Sequence, residues 1–278
     1  MSIMDSVALI TDSSACLSET HAPVRIVPVV IHLPDVDVHG DSSEAASRVY
    51  AALQRNEPVK SSAPSALEYL QAIEETDAEE VVVVTPAVEF TNMFHNASVA
   101  AELSERPVIV VDSRTAAAAH GLVVERAADA AGEGGSAADT VRAAEDAARR
   151  TELVATLDGL DYIRRSGRIP PAAVGLARHL GVRPVFRLHQ GVVERLGVPR
   201  SRDSATDRVI REAQYRGIGE AARRLVFHAA DPERASVLQR RLDIADATEF
   251  SPSMGIHTGP GVVGVAWLRP SLPGRSPS

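Results

Sequence analysis

Cysteine, lysine and aromatic side chains are the scarce residues of this chain, and each scarcity excludes something. Cys16 stands alone in 278 residues. No intrachain disulfide and no thiolate metal cluster can form, and nothing points to an oxidising compartment. Lys60 is the only lysine, so the positive charge is nearly all arginine, whose planar fork suits carboxylates better than an ammonium does. Aromatic residues make up 4%, which leaves the core to Val, Leu, Ile and Ala. With 29 basic and 37 acidic residues the formal charge is −8, the wrong sign for a face that grips nucleic-acid phosphates. No apolar run is long enough to span a bilayer, and the first residues lack the basic-then-apolar order of a signal segment. Nucleic acid and stable membrane insertion are therefore not expected, and a cytoplasmic location is. A phosphate-binding Walker loop, a dinucleotide fingerprint after the first strand and a nucleophile elbow are all missing as well.

What is present is an alternation. Residues 7–11, 24–33, 81–85 and 108–112 are short runs with apolar, largely β-branched side chains at consecutive positions, which predicts buried strands. Between and after them, residues 44–55, 65–75, 92–103, 116–131 and 137–150 read as alanine-rich helices. Strand–helix alternation predicts an α/β fold with a mainly parallel sheet and right-handed crossovers, and ligands at the carboxyl ends of its strands. After residue 150 the rhythm changes. Strands are expected at 154–157, 182–188, 192–198, 224–229 and 262–268, with a tight hairpin at His189-Gln190-Gly191 and helices at 160–165, 205–215 and 232–242. This predicts two α/β domains: residues 1–153 with a parallel sheet, residues 154–269 with a mixed sheet, and a Pro/Ser/Gly-rich tail, 270–278, expected to be disordered.

Five segments carry polar groups where chemistry can occur. Ile256-His257-Thr258-Gly259-Pro260-Gly261 sets an imidazole and a hydroxyl beside a rigid Gly-Pro-Gly corner just before the last strand. Thr11-Asp12-Ser13-Ser14 follows the first strand, where its groups either bind a ligand or make an Asx turn and helix cap. In Ser61-Ser62-Ala63-Pro64-Ser65, Ser65 with Glu68 forms a capping box, which leaves the hydroxyls of Ser61 and Ser62 for an anion at a helix N-terminus. Thr91 and Asn92 open the next helix, as its cap or as donors to the same anion. In Tyr162 to Ile169, Arg164 and Arg165 read as solvated, whereas Arg168 lies between Gly167 and Ile169 where the chain re-enters structure.

Taken in order, these segments resemble the DegV family of bacterial fatty-acid-binding proteins. The resemblance rests on Ile10-Thr11-Asp12-Ser13-Ser14, Val27-Pro28-Val29, Ser61 to Ser65, Val111-Asp112-Ser113, the stretch 157–169, Arg183-Pro184, Arg200 with Arg202, and His257 to Gly261. The ordered set spans nearly the whole chain. Departures are local: Ser61-Ser62 stands for Thr-Ser, Thr91-Asn92-Met93 for Ser-Gly-Thr, Ser166-Gly167 for Gly-Gly, and Ala116 to Ala119 for serine and glycine.

The resemblance implies a long-chain fatty acid held between two α/β domains, with no other cofactor and no metal. Its carboxylate would meet Ser61, Ser62, Thr91, Asn92, His257, Thr258 and a guanidinium from Arg168 or Arg200. A buried carboxylate needs such donors, while each buried methylene contributes roughly 0.8 kcal/mol. The resemblance further implies a carrier rather than an enzyme, one that presents the acid to a separate fatty acid kinase. Two other readings stay open: an acyl hydrolase using Ser61 or Ser62 with His257 and an acid brought by the fold, such as Asp12, or a small-anion-binding protein with a shallow pocket.

Overall fold

In a computed structural model, which describes residues 7–17, 24–40, 43–167 and 181–271, the valine runs build a four-stranded sheet. Its strands are β1 (Val7–Asp12), β2 (Val24–Val27), β6 (Glu80–Thr85) and β7 (Val108–Asp112), in the order β2-β1-β6-β7, every neighbouring pair parallel. Strand β6 shows why residues 81–84 are an unbroken valine run. Val81 and Val83 pack against α2 (Ala66–Glu74) and α3 (Met93–Leu103), while Val82 and Val84 pack against α4 (Ala117–Gly132) and α5 (Ala137–Arg150). Both faces are covered, so no polar position is tolerated.

A second, six-stranded sheet holds β8 (Thr151–Thr156), β9 (Val185–His189), β10 (Val192–Gly197), β11 (Arg223–His228), β12 (Ala247–Glu249) and β13 (Val263–Leu268) in the order β10-β9-β8-β13-β11-β12. Its pairs are antiparallel except β11 with β12. Period-two alternation divides its side chains. Val154, Val185, Val263 and Val265 turn to α7 (Arg202–Tyr215) and α8 (Pro232–Leu242), whereas Leu153, Ala155, Phe186, Leu188 and Phe227 turn the other way. That second face shares a core with Ile31, Val49 of α1 (Ser43–Gln54) and Ala116, which joins the two units. No described helix is long and apolar enough to cross a membrane.

Some expectations shift. The run 24–33 divides at Pro28, which has no amide to give a ladder, and the Val29 amide instead donates to Ser13 Oγ at 3.0 Å. The chain then leaves for a small antiparallel sheet, β4-β3-β5, of β3 (Val30–His32), β4 (Asp37–His39) and β5 (Lys60–Ser62). Strand β8 belongs to the second sheet from Thr151 onward, so the change of sheet comes at that residue. His257 and Thr258, expected on a turn, form the last turn of a short helix, α9 (Pro252–Thr258), opened by a proline at its start. The corner follows at Gly259 and Gly261, both with positive φ. Pro270 and Ser271 lie outside any helix or strand, and the rest of the expected tail lies outside the described residues.

Candidate functional site

The face of the second sheet that turns away from α7 and α8 closes on the first unit around a cavity of about 720 Å³. Leu153, Ala155, Phe186, Leu188 and Phe227 form one wall, and Val29, Met93, Ala116 and Ala117 come from the other side. Phe227 stacks on Phe250 with ring centroids 5.6 Å apart and fixes the shape of that wall.

Six of the candidate residues border this same cavity: Ser61, Ser62, Thr91, Asn92, His257 and Thr258. β5 supplies the two serines, α9 the imidazole. Ser61 Oγ and His257 Nε2 lie 2.9 Å apart. Thr91 Oγ accepts the Met93 amide at 3.4 Å, while Asn92 is the cap residue of α3 without a side-chain cap bond. Asn96 ties α3 to β5's exit by donating to the Pro64 carbonyl at 2.7 Å, so the Thr91 side and the serine side keep a fixed separation. Thr258 donates to its own helix, at Met254 O and 3.2 Å, which spends its hydroxyl hydrogen locally. The capping box of Ser65 with Glu68 is formed.

Of the two candidate arginines, only Arg200 lies among the described residues; Arg168 lies outside them. Arg200 is exposed beyond β10, away from the cavity, and its carbonyl accepts a bond from Arg183 at 2.9 Å. The chain turns at Pro199 and Arg200 into α7, which points this segment outward. Among the described residues, the guanidinium that borders the cavity is that of Arg187, on β9. Glu152 holds it by two hydrogen bonds of 2.7 and 2.8 Å, with Glu194 at 3.3 Å, and these acceptors push its pKa further up. Its fork is thus already engaged.

Asp12 is fully buried at the end of β1, where it caps a short 3-10 turn by accepting the Ser14 amide at 2.9 Å. Its other oxygen is 3.7 Å from His120 Nε2. An acid–imidazole–hydroxyl line does exist on the exposed side of the small sheet, reaching the cavity at Ser62 alone, on a histidine that sequence spacing did not single out. His32 Nδ1 is 2.8 Å from Asp37 Oδ1, and its Nε2 is 2.7 Å from Ser62 Oγ. The three residues sit on three neighbouring strands, β4, β3 and β5, so only the pairing of the small sheet brings them together.

Two further features frame the site. A second cavity of about 390 Å³ shares Ser61 and His257 with the first and is also bordered by Lys60 and, from the short helix α6 (Asp161–Ser166), by Tyr162 and Arg165. Beside Glu89, which borders the large cavity, the hairpin tip clasps the first unit. The Gly191 amide donates to Arg114 O at 2.6 Å, and Arg114 donates to Gln190 O at 3.0 Å and faces Glu89 at 3.5 Å. Gly191 has φ of +77°, and a side chain there would strike the Glu89 carboxylate. Burial, aided by Glu89, holds the nearby Asp112 carboxyl above its ordinary range. Among the described residues, no group of His, Cys, Asp and Glu is arranged to hold a metal ion.

Comparison with known proteins agrees with this architecture. A family model described as "Uncharacterised protein, DegV family" matches residues 6–270. A DegV domain-containing protein of Streptomyces coelicolor is 34% identical, covering 93% of this chain and 97% of that one. One from Mycobacterium tuberculosis is 30% identical over 94% and 96%. Among solved structures, a DegV family protein of Thermus thermophilus, described as fatty-acid-binding, superimposes with a TM-score of 0.85 at 23% identity, covering 95% of this chain and 99% of the other. A stearic-acid-binding protein of Eubacterium ventriosum gives 0.83 at 20% identity, covering 95% and 98%. With two α/β units, a parallel and a mixed sheet and a match along nearly its whole length, this chain belongs to the DegV family.

Proposed function

We propose that this protein binds a long-chain fatty acid in the large cavity. The observation that carries the reading is the meeting of an apolar wall of the second sheet with the Ser61–His257 pair at one cavity. The wall accounts for affinity, at roughly 0.8 kcal/mol per buried methylene. The hydroxyls and imidazole serve the headgroup, which cannot be buried bare. Ser61, Thr91 and a protonated or Nε2-H His257 donate to its two oxygens, while Asn92 closes the same rim. The family's solved members described as binding fatty acids, including stearic acid, support this assignment.

In this reading the protein is a carrier, and a separate fatty acid kinase acts on the carboxylate it presents. Ser61 and His257 suit that task because they border both the large cavity and the smaller one beside it. Extraction of protein purified from bacteria, followed by mass spectrometry, should yield one equivalent of long-chain acid. Recovery of none would remove the reading. His257→Ala should lower the retained acid about 10- to 100-fold, the loss of one charged hydrogen bond.

A further inference from the structure

We propose that Ser62, His32 and Asp37 form a catalytic relay that hydrolyses activated long-chain acyl compounds, thioesters or acyl phosphates, whose acyl chain occupies the cavity. The inference rests on the fatty-acid reading above for the chain's location but not for the chemistry. Three observations carry it. His32 Nε2 stands 2.7 Å from Ser62 Oγ, the reach a general base needs to take a hydroxyl proton. Asp37 Oδ1 stands 2.8 Å from Nδ1, so the Nδ1–H tautomer is held and the Nε2 lone pair faces the serine. Ser62 borders the cavity that takes the chain and is itself exposed, so a bulky leaving group remains in water.

The chemistry balances with water as co-reactant. Ser62 Oγ attacks the acyl carbonyl carbon while its proton passes to His32 Nε2, and Asp37 stabilises the imidazolium. The carbon–leaving-group bond breaks, the leaving group departs with the proton from His32, or as a free anion while His32 gives that proton to solvent, and an acyl ester on Ser62 remains beside a neutral imidazole. Water then attacks that ester, yielding its proton to His32. The Ser62 oxygen leaves and recovers the proton, releasing the fatty acid beside Ser61 and His257. Developing negative charge on the carbonyl oxygen would be met by the Thr91 hydroxyl and the later amides of the α3 N-terminus, which line the same cavity as Ser62.

The test uses the full chain and para-nitrophenyl decanoate. The expected result is a burst of one equivalent of nitrophenolate, with the decanoyl mass found on the peptide carrying Ser62. His32→Ala should slow the burst about 100-fold or more, Ser62→Ala should abolish the acyl adduct, and Asp37→Asn should fall between the parent and His32→Ala. Release no faster than in buffer, an adduct on another residue, or an unchanged rate in His32→Ala would each overturn the relay. Fatty acid retained by the parent, His32→Ala and Asp37→Asn proteins is measured on the same samples. Its loss from all three, the parent included, would count against the binding reading instead. Its presence alongside a missing burst would overturn the relay alone.

Discussion

Ser61 and Ser62 are consecutive, yet β5 presents their hydroxyls to different histidines, His257 and His32. A strand does this by geometry, since successive side chains leave opposite faces. Substitution at the two positions should therefore separate: Ser61→Ala weakens fatty acid retention, and Ser62→Ala removes acyl transfer. Mass spectrometry of bound lipid reads the first, and the nitrophenyl burst reads the second. A different histidine governs stability. Burial pushes His228 below its ordinary value, against the smaller pull of Glu249 and Asp231. The neutral form is favoured in the fold, so the unfolded chain binds the proton more readily. Stability from this residue is present above about pH 6.5 and declines as pH falls toward the lowered folded value. His228→Gln should flatten the loss of unfolding free energy between about pH 7 and pH 5, as followed by urea titration.

Elements differ in how far local sequence specifies them. Strands β1 and β6 are apolar at successive positions because both faces are covered, and the helices packed on them carry their own caps, such as the Ser65 and Ser136 boxes. Ser65→Ala should accordingly cost about 1 kcal/mol in denaturant midpoint analysis. Three-residue strands β4, β5 and β12 leave no period to read, and β5 is the one that carries both site serines. His32 falls within the expected strand 24–33, and no motif marks it or Asp37. Their closeness to Ser62 is a product of strand pairing, which spacing along the chain does not encode. The short helix α9 was hidden by the turn residues around it. Its stop is sharp: Gly259 has φ of +80°, and a Cβ there would run into the Tyr162 ring. Gly259→Ala should displace His257 and lower both stability and retained lipid, with thermal melting and lipid extraction read side by side.

At the scale of the whole molecule, the cavity exists because two differently built sheets share a core. The apolar face of the second sheet was legible as strands, but the sequence did not say which alternate residues would meet a ligand and which would meet α7 and α8. Ala155 shows the consequence of that division, lying on the cavity wall with 8% exposure. Ala155→Leu should shift the extracted acid toward shorter chains while the protein remains folded, and an unchanged lipid profile would mean that the chain runs elsewhere. The Arg114 guanidinium ties the hairpin tip, at Gln190 O, to Glu89, which borders the same cavity. Loosening this tie with Arg114→Ala should speed release of a fluorescent fatty acid, measured by stopped flow, more than it changes the melting temperature.

Lys60 offers a practical handle. It is the only side-chain amine in the chain, it is exposed, and it borders the smaller cavity next to Ser61 and His257. An amine-reactive fluorophore applied above neutral pH, after the α-amine has been blocked, would decorate this protein at a single address. That address lies one residue from the headgroup serine, so a partner approaching that mouth would report itself as a change in the dye's emission, with no engineered residue required.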